Sequence, residues 1–264
     1  MKMPMLDQPK RRAETVSVFG GYDARDRRGT EGFSEVENLS SSAYPALSPR
    51  SRRGTVDTAL GDGDTVVVAG DISWAMSMDE ALTDLAYLDR LPGRKLIGRG
   101  NHDYWWGTVY KMKKFFVEQN GLSTIDFLYN NAYETESFVV CGSRGWWGDA
   151  GLCPSGVDYE KIVAREALRV GMSLDAGERL LAAARERGEE RELLVFLHFP
   201  PIFRDYRCDE IISVLRQHGV KRCFYGHIHN SYDTPPVFEN GGIEYIITSA
   251  DYLEFKPLFI EKRS

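Results

Sequence analysis

Apolar residues in this chain gather into short unbroken runs, and each run stops at a polar group. Thr65 to Ala69 is a continuous, mostly β-branched stretch that ends in Gly70-Asp71. Lys95 to Gly98 leads into Gly100-Asn101-His102-Asp103, Leu193 to Leu197 into His198, and Cys223 to Tyr225 into Gly226-His227-Ile228-His229. Such runs read as strands of a sheet covered on both faces. Between them the period becomes helical. Ser77-Met78-Asp79-Glu80 has capping-box spacing and opens a helix to about Leu91, where Pro92-Gly93 stops it. A helix is expected from about Gly107 to Gln119, closed by Asn120-Gly121, and another from Asp209 to His218, closed by Gly219. Asp158 to Arg187 is helical in period but contains Gly171 and Gly177, which predicts two helices or one bent one. Further strands are expected at Thr15 to Phe19, Asp126 to Tyr129, Phe138 to Gly142, Ile243 to Thr248 and Leu258 to Ile260. Strands alternating with helices predict an α/β fold.

The pattern fails in two places. Residues 1–14 are polar and aperiodic, and about 26–64 are rich in Ser, Arg, Gly, Pro and Asp. Both are expected to be irregular or disordered within a single domain spanning 1–264. A structureless stretch as long as the second is unusual inside a domain, which marks it as an insertion or as abnormal sequence.

Composition narrows the class. A hydrophobic share of 42% and a charged share of 27% suit a soluble globular protein. No apolar run approaches the ~18 residues of a transmembrane helix, and Met1 to Arg12 lacks the apolar core of a secretory signal. Cys141, Cys153, Cys208 and Cys223 show no paired spacing, so reduced thiols in a cytoplasmic protein are expected. A net charge of −6 points to no nucleic-acid or membrane partner and leaves the oligomeric state open.

The candidate chemistry lies at the strand ends. Loops at the carboxyl ends of strands in open α/β sheets converge on one crevice, so Asp71, Asn101, His102, His198, His227 and His229 are expected to be neighbours. Two histidines two residues apart on an extended chain are roughly 6.6 Å apart at Cα and point to one side. That suits two ions about 3.5–4 Å apart, each taking one imidazole. A carboxylate can bridge two divalent cations, and an amide oxygen and imidazoles complete the shells. A water held between the metals would become hydroxide near neutral pH and attack phosphorus in line. His102, beside Asn101, is better placed to donate a proton than to bind metal.

Gly70-Asp71, Gly100-Asn101-His102-Asp103, His198 and Gly226-His227-Ile228-His229 resemble, in order, four of the five blocks of the calcineurin-like metallophosphoesterases. Gly70 to Met76, His102 to Trp106 and Ser249 to Leu253 are similar to a bacterial branch of that superfamily. The resemblance implies a four-layer α/β/β/α sandwich and a dinuclear centre of Mn, Fe or Zn acting on a small phosphorylated substrate, a phosphomonoester or phosphodiester. It also implies roles: Asp71 bridging the ions, Asn101, His198 and His227 on one of them, His229 on the other, and His102 as the catalytic histidine.

The first block, D-x-H, is missing, since no histidine precedes His102. Three readings follow: an early sequence that does not represent the functional enzyme; Thr15 to Phe19 as the first strand, with Asp23 replacing the aspartate and Arg25 where the histidine would fall; or a protein that holds one ion and is a weak enzyme or a non-catalytic metal-binding or interaction protein.

Neighbouring residues carry two readings each. Asp103 either orients His102 or a metal ligand, or caps the following helix. Arg144, in Ser143-Arg144-Gly145-Trp146-Trp147-Gly148, is a candidate clamp for a substrate phosphate. Trp105, Trp106, Trp146 and Trp147 either wall a pocket or pack in the core. His218 suits a surface role at a helix end, and the cysteines suit small buried apolar positions.

Overall fold

The computed structural model describes residues 61–146, 158–255 and 257–261, together with the strand at 16–19. Asp23, Arg25, Trp147 and Cys153 lie outside the described residues, as do 1–14 and 26–60. Residues 61–64 form a turn into the next strand, with the Asp64 N–H on the Gly61 carbonyl at 3.0 Å.

Two sheets face each other. The first contains β1 (Val16–Phe19), β2 (Thr65–Val68), β3 (Arg94–Gly98) and β4 (Ile125–Leu128), all parallel, with β13 (Leu258–Ile260) antiparallel on β1. The second runs in the order β11 (Val237–Asn240), β12 (Ile243–Ile247), β10 (Arg222–Tyr225), β7 (Glu192–Leu197), β6 (Phe138–Ser143) and β5 (Asn131–Glu134). Its four central strands are parallel and its edge strands antiparallel. The remaining pair, β8 (Ile202–Phe203) and β9 (Tyr206–Arg207), forms a small hairpin.

The alternation of side chains explains the layers. In and just beyond β2, Val67 and Ala69 join Leu96, Leu128, Phe138, Val140, Phe196 and Phe224 between the sheets. Val66 and Val68 turn outward onto helix α1 (Met78–Asp89), whose Ala81, Leu85 and Leu88 are buried, and onto α2 (Val109–Met112) with its π-helical continuation Lys113–Gln119. On the far side, Val139, Cys141, Val195 and Cys223 pack under α3 (Tyr159–Glu186) and α4 (Asp209–Gln217). Each fully buried aliphatic side chain contributes about 1.5–3 kcal/mol. The result is the expected four-layer α/β/β/α arrangement.

The local signals hold at α1 and α4. The Ser77 Oγ accepts the Glu80 N–H at 3.3 Å, while the Glu80 carboxylate reaches back one residue further than a capping box, to the Met76 N–H at 2.8 Å. Gly219 and Gly121 take positive φ, 63° and 72°, at their helix ends. Within α3 the structure differs from a broken helix: its 28 residues run without interruption from the Asp158 cap. Gly177 is there for packing, because a Cβ at that position would lie 2.3 Å from the Cys141 Sγ in the sheet below. Strands β5 and β11 are not marked in the sequence; both are edges, half-buried or exposed, with no apolar run to announce them.

Candidate metal centre

The carboxyl ends of β2, β3, β7 and β10 carry the groups expected there, and the two innermost loops are locked together. The Asp103 carboxylate is 1% exposed and accepts four backbone N–H groups. Its Oδ2 takes those of Asp71 at 2.8 Å and Gly100 at 2.7 Å, and its Oδ1 those of Ile72 at 3.0 Å and Ser73 at 3.2 Å. It therefore orients the loops, and the cap of α2 falls to Thr108 instead. Burial, and then the nearby Asp71 charge, push Asp103 up to about 7, against those hydrogen bonds. Four donors and no acceptor around it are the environment of the ionised form. Gly100 leaves the space the loops need, since a Cβ there would lie 1.9 Å from the Asp71 Oδ1.

Asp71 and His227 both adopt left-handed backbone, with φ of 57° and 68°. Non-glycine residues held in that region are costly and gather at functional loops. Asp71 is buried, and its Oδ1 accepts the His102 N–H at 2.7 Å. Ligand atoms of Asp71, His198 and His227 all lie within 4.8 Å of one another.

The proton inventory around His198 tests whether a cation fits. Its Nδ1 is 2.9 Å from the Ala69 carbonyl oxygen, which can only accept, so Nδ1 carries the hydrogen. Burial holds the ring neutral by lowering its pKa to about 3, which leaves Nε2 a bare lone pair. That lone pair faces the Asn101 Oδ1 at 2.8 Å and the Asp71 Oδ2 at 3.4 Å. Three acceptors converging without a donor repel one another, and a divalent ion relieves the conflict. The N/O character of the set suits Mn, Fe or Zn. His227 completes the group, its ring centroid 5.1 Å from that of His198 and its pKa lowered to about 2, chiefly by burial and then by the other histidines.

His229 lies near this cluster but outside it. Its Nδ1 donates to the Asp251 Oδ1 at 2.7 Å, while the Asp251 Oδ2 accepts the Asn230 N–H at 2.9 Å. A carboxylate on Nδ1 fixes the tautomer of the ring, so that Nε2 carries the lone pair, an arrangement common for histidines at metal sites. Burial opposes ionisation of Asp251, but the His229 hydrogen bond and its neighbours hold the carboxyl below its ordinary range. The sequence marks Asp251 only as part of the family-like stretch Ser249 to Leu253 and assigns it no role: it lies 22 residues from its partner and no spacing signals the pair.

His102 is held face to face with Trp74, centroids 3.6 Å apart, and its Nδ1 is 3.2 Å from the Tyr104 hydroxyl. Both neighbours fall in the family-like stretches Gly70 to Met76 and His102 to Trp106, but nothing in the sequence assigns either a role. Trp105 and Trp106 pack in the core against Phe116 and Phe127. Arg144 lies over the rings of Phe199 and Trp146, at 5.1 and 5.8 Å. Cys141, Cys208 and Cys223 are buried free thiols pushed upward by burial. His218 sits at the end of α4 on Glu178, at 2.8 Å, away from the crevice. Among the described residues, no helix is long and apolar enough to cross a membrane.

A family model described as calcineurin-like phosphoesterase matches residues 48–231. No curated protein matches the sequence. Among solved structures, phosphopantetheinyl hydrolase from Mycobacterium tuberculosis is similar over 92% of this chain and 91% of its own, with a TM-score of 0.45 and 15% identity. A protein of unknown function, AQ665 from Aquifex aeolicus, is similar over 93% and 95%, with a TM-score of 0.40 and 14% identity.

Proposed function

Because the chain belongs to the calcineurin-like phosphoesterase family of metal-dependent hydrolases, we propose that it hydrolyses a small phosphomonoester or phosphodiester with divalent ions as cofactors. The observation that carries this reading is the meeting of the His198 Nε2, Asn101 Oδ1 and Asp71 Oδ2 with no donor among them.

In this reading Asn101, His198 and His227 would hold one ion, Asp71 would serve both that ion and a second, and His229, oriented by Asp251, would serve the second. Bound divalent ions supply a nucleophile at neutral pH and stabilise the charge that develops on phosphate oxygens. The chain's own residues do the rest. His102, fixed by Trp74 and Tyr104, protonates the leaving oxygen. Asp103 keeps the Asp71 and Asn101 loops in register, and Arg144 contacts the phosphate. Buried reduced thiols make the cytoplasm the compartment this protein suits.

A second reading is favoured by one fact: no histidine precedes His102, so the D-x-H pair of the second ion is not supplied in the family's form. On that reading the chain binds one ion and does not catalyse. Hydrolysis of an aryl phosphate in added manganese separates the two. The first reading expects metal-dependent turnover that Asp71→Asn or His227→Ala abolishes. Turnover unchanged in those variants contradicts it, and metal binding without turnover in the unaltered chain selects the second.

A further inference from the structure

Arg99 has no part in the arrangement above, yet it leaves β3 immediately before Gly100-Asn101, while Arg144 leaves β6 directly after Ser143. The two arginines come from different sheets, and the Arg99 charge acts on Arg144. Arg144 is tied to the metal-ligand side by an aromatic bridge: its guanidinium lies 5.1 Å from the Phe199 ring, and that ring is 4.6 Å from His227 and 4.9 Å from His198. The Nε atoms of both Arg99 and Arg144 are shut off from solvent without a hydrogen-bond partner. Among the described residues, neither side chain takes part in an ion pair. Burial, and after it the Arg99 charge, hold Arg144 below the usual arginine range. Of the two carboxylates that act on Arg144, Glu166 is already engaged by Arg169 at 2.7 Å and Arg165 at 3.3 Å, and Asp71 accepts the His102 N–H at 2.7 Å. Two guanidiniums that repel each other, with Nε atoms shut off from solvent and no ion pair of their own, are expensive unless an anion joins them. Arginine's planar fork suits phosphate oxygens.

Counting oxygens identifies the anion. A phosphodiester has two non-bridging oxygens and a single negative charge, which the metal-ligand side of the crevice would engage. A phosphomonoester has a third, and as a dianion it carries an additional charge for the arginines. We propose that Arg99 and Arg144 form a two-arginine clamp for the third terminal oxygen of a phosphomonoester, which makes the chain selective for monoesters over diesters. This inference rests on the phosphohydrolase reading for its chemistry, but the clamp can be tested without turnover.

The binding test uses metal-free protein and titration calorimetry near pH 8, with inorganic phosphate and dimethyl phosphate as probes. Phosphate should bind at least ~10-fold more tightly than the diester, and Arg99→Met with Arg144→Met should erase the difference, as expected for loss of charged hydrogen bonds. Single Arg99→Lys and Arg144→Lys variants, checked by circular dichroism, retain the charge but lose the fork, so an effect in them reports recognition rather than misfolding. With manganese present, each lysine variant should lower kcat/KM for p-nitrophenyl phosphate by roughly 10- to 100-fold and leave bis(p-nitrophenyl) phosphate within about 3-fold. Equal losses for both esters, or phosphate affinity unchanged in the double variant, would overturn the clamp. Arginine-dependent phosphate selectivity in a protein that turns over neither ester would support the clamp while removing the hydrolase reading.

Discussion

Replacing Asp103 by asparagine changes one atom and should disturb the whole centre. The carboxylate accepts four N–H groups, two on each oxygen, from Asp71, Gly100, Ile72 and Ser73. Asparagine keeps one oxygen for two of them and turns an NH2 group toward the other two, so two charge-assisted bonds become donor–donor contacts. At about 1.5–3 kcal/mol for each bond, the loss is roughly 3–6 kcal/mol. Part is offset, because the substitution also removes a charge that burial first and the Asp71 charge second disfavour, the causes that raise Asp103 to about 7. A net loss of about 2–4 kcal/mol remains, out of the ~5–15 kcal/mol typical of a folded domain. Urea unfolding of the metal-free protein measures it as a lower midpoint with unchanged slope. The freed Asp71 and Asn101 loops should also cost about 10- to 100-fold in manganese affinity, the usual effect of losing a group that orients ligands. Stability within about 1 kcal/mol of the parent, with unchanged manganese affinity, would refute the reasoning.

Two further outcomes follow from the same geometry. Gly100→Ala sets a methyl 1.9 Å from the Asp71 Oδ1, so it should abolish metal binding, read by titration calorimetry, while far-ultraviolet circular dichroism shows helices and sheets retained. His198 and His227 are neutral in the fold down to about 3 and about 2, whereas an unfolded histidine binds its proton near 6.5. The unfolded state therefore takes up protons first on acidification, and the stability present above pH ~6.5 is lost as pH falls toward 3. With two such groups the slope approaches ~2.7 kcal/mol per pH unit, and His227→Ala should roughly halve it in urea midpoints measured at pH 7, 6 and 5.

The parts that sequence could foretell are those where chemistry is local. Unbroken apolar runs marked β2, β3, β7 and β10 because their side chains face cores on both sides, and the polar residue after each run marked the crevice. Asp103 left two roles open, since one carboxylate beside a helix start can cap or orient. Only its distance to the Asp71 loop, 31 residues away in sequence at the Ile72 N–H, decides for orientation. The Asp251–His229 pair and the stacking of Trp74 on His102 depend on loops meeting in space, and no spacing encodes them. Gly177 misled in the other direction: a glycine in a helical pattern suggests a break, but here it permits close packing on Cys141.

The central claim is that Asp71, Asn101, His198 and His227 bind a divalent ion. Manganese titration of the metal-free chain, with elemental analysis of the loaded protein, tests it most directly. At least one ion per chain should bind, and His198→Ala should abolish that binding while leaving the protein folded. A chain that takes up no manganese, iron or zinc, or one whose ion survives His198→Ala at parental affinity, would contradict the account.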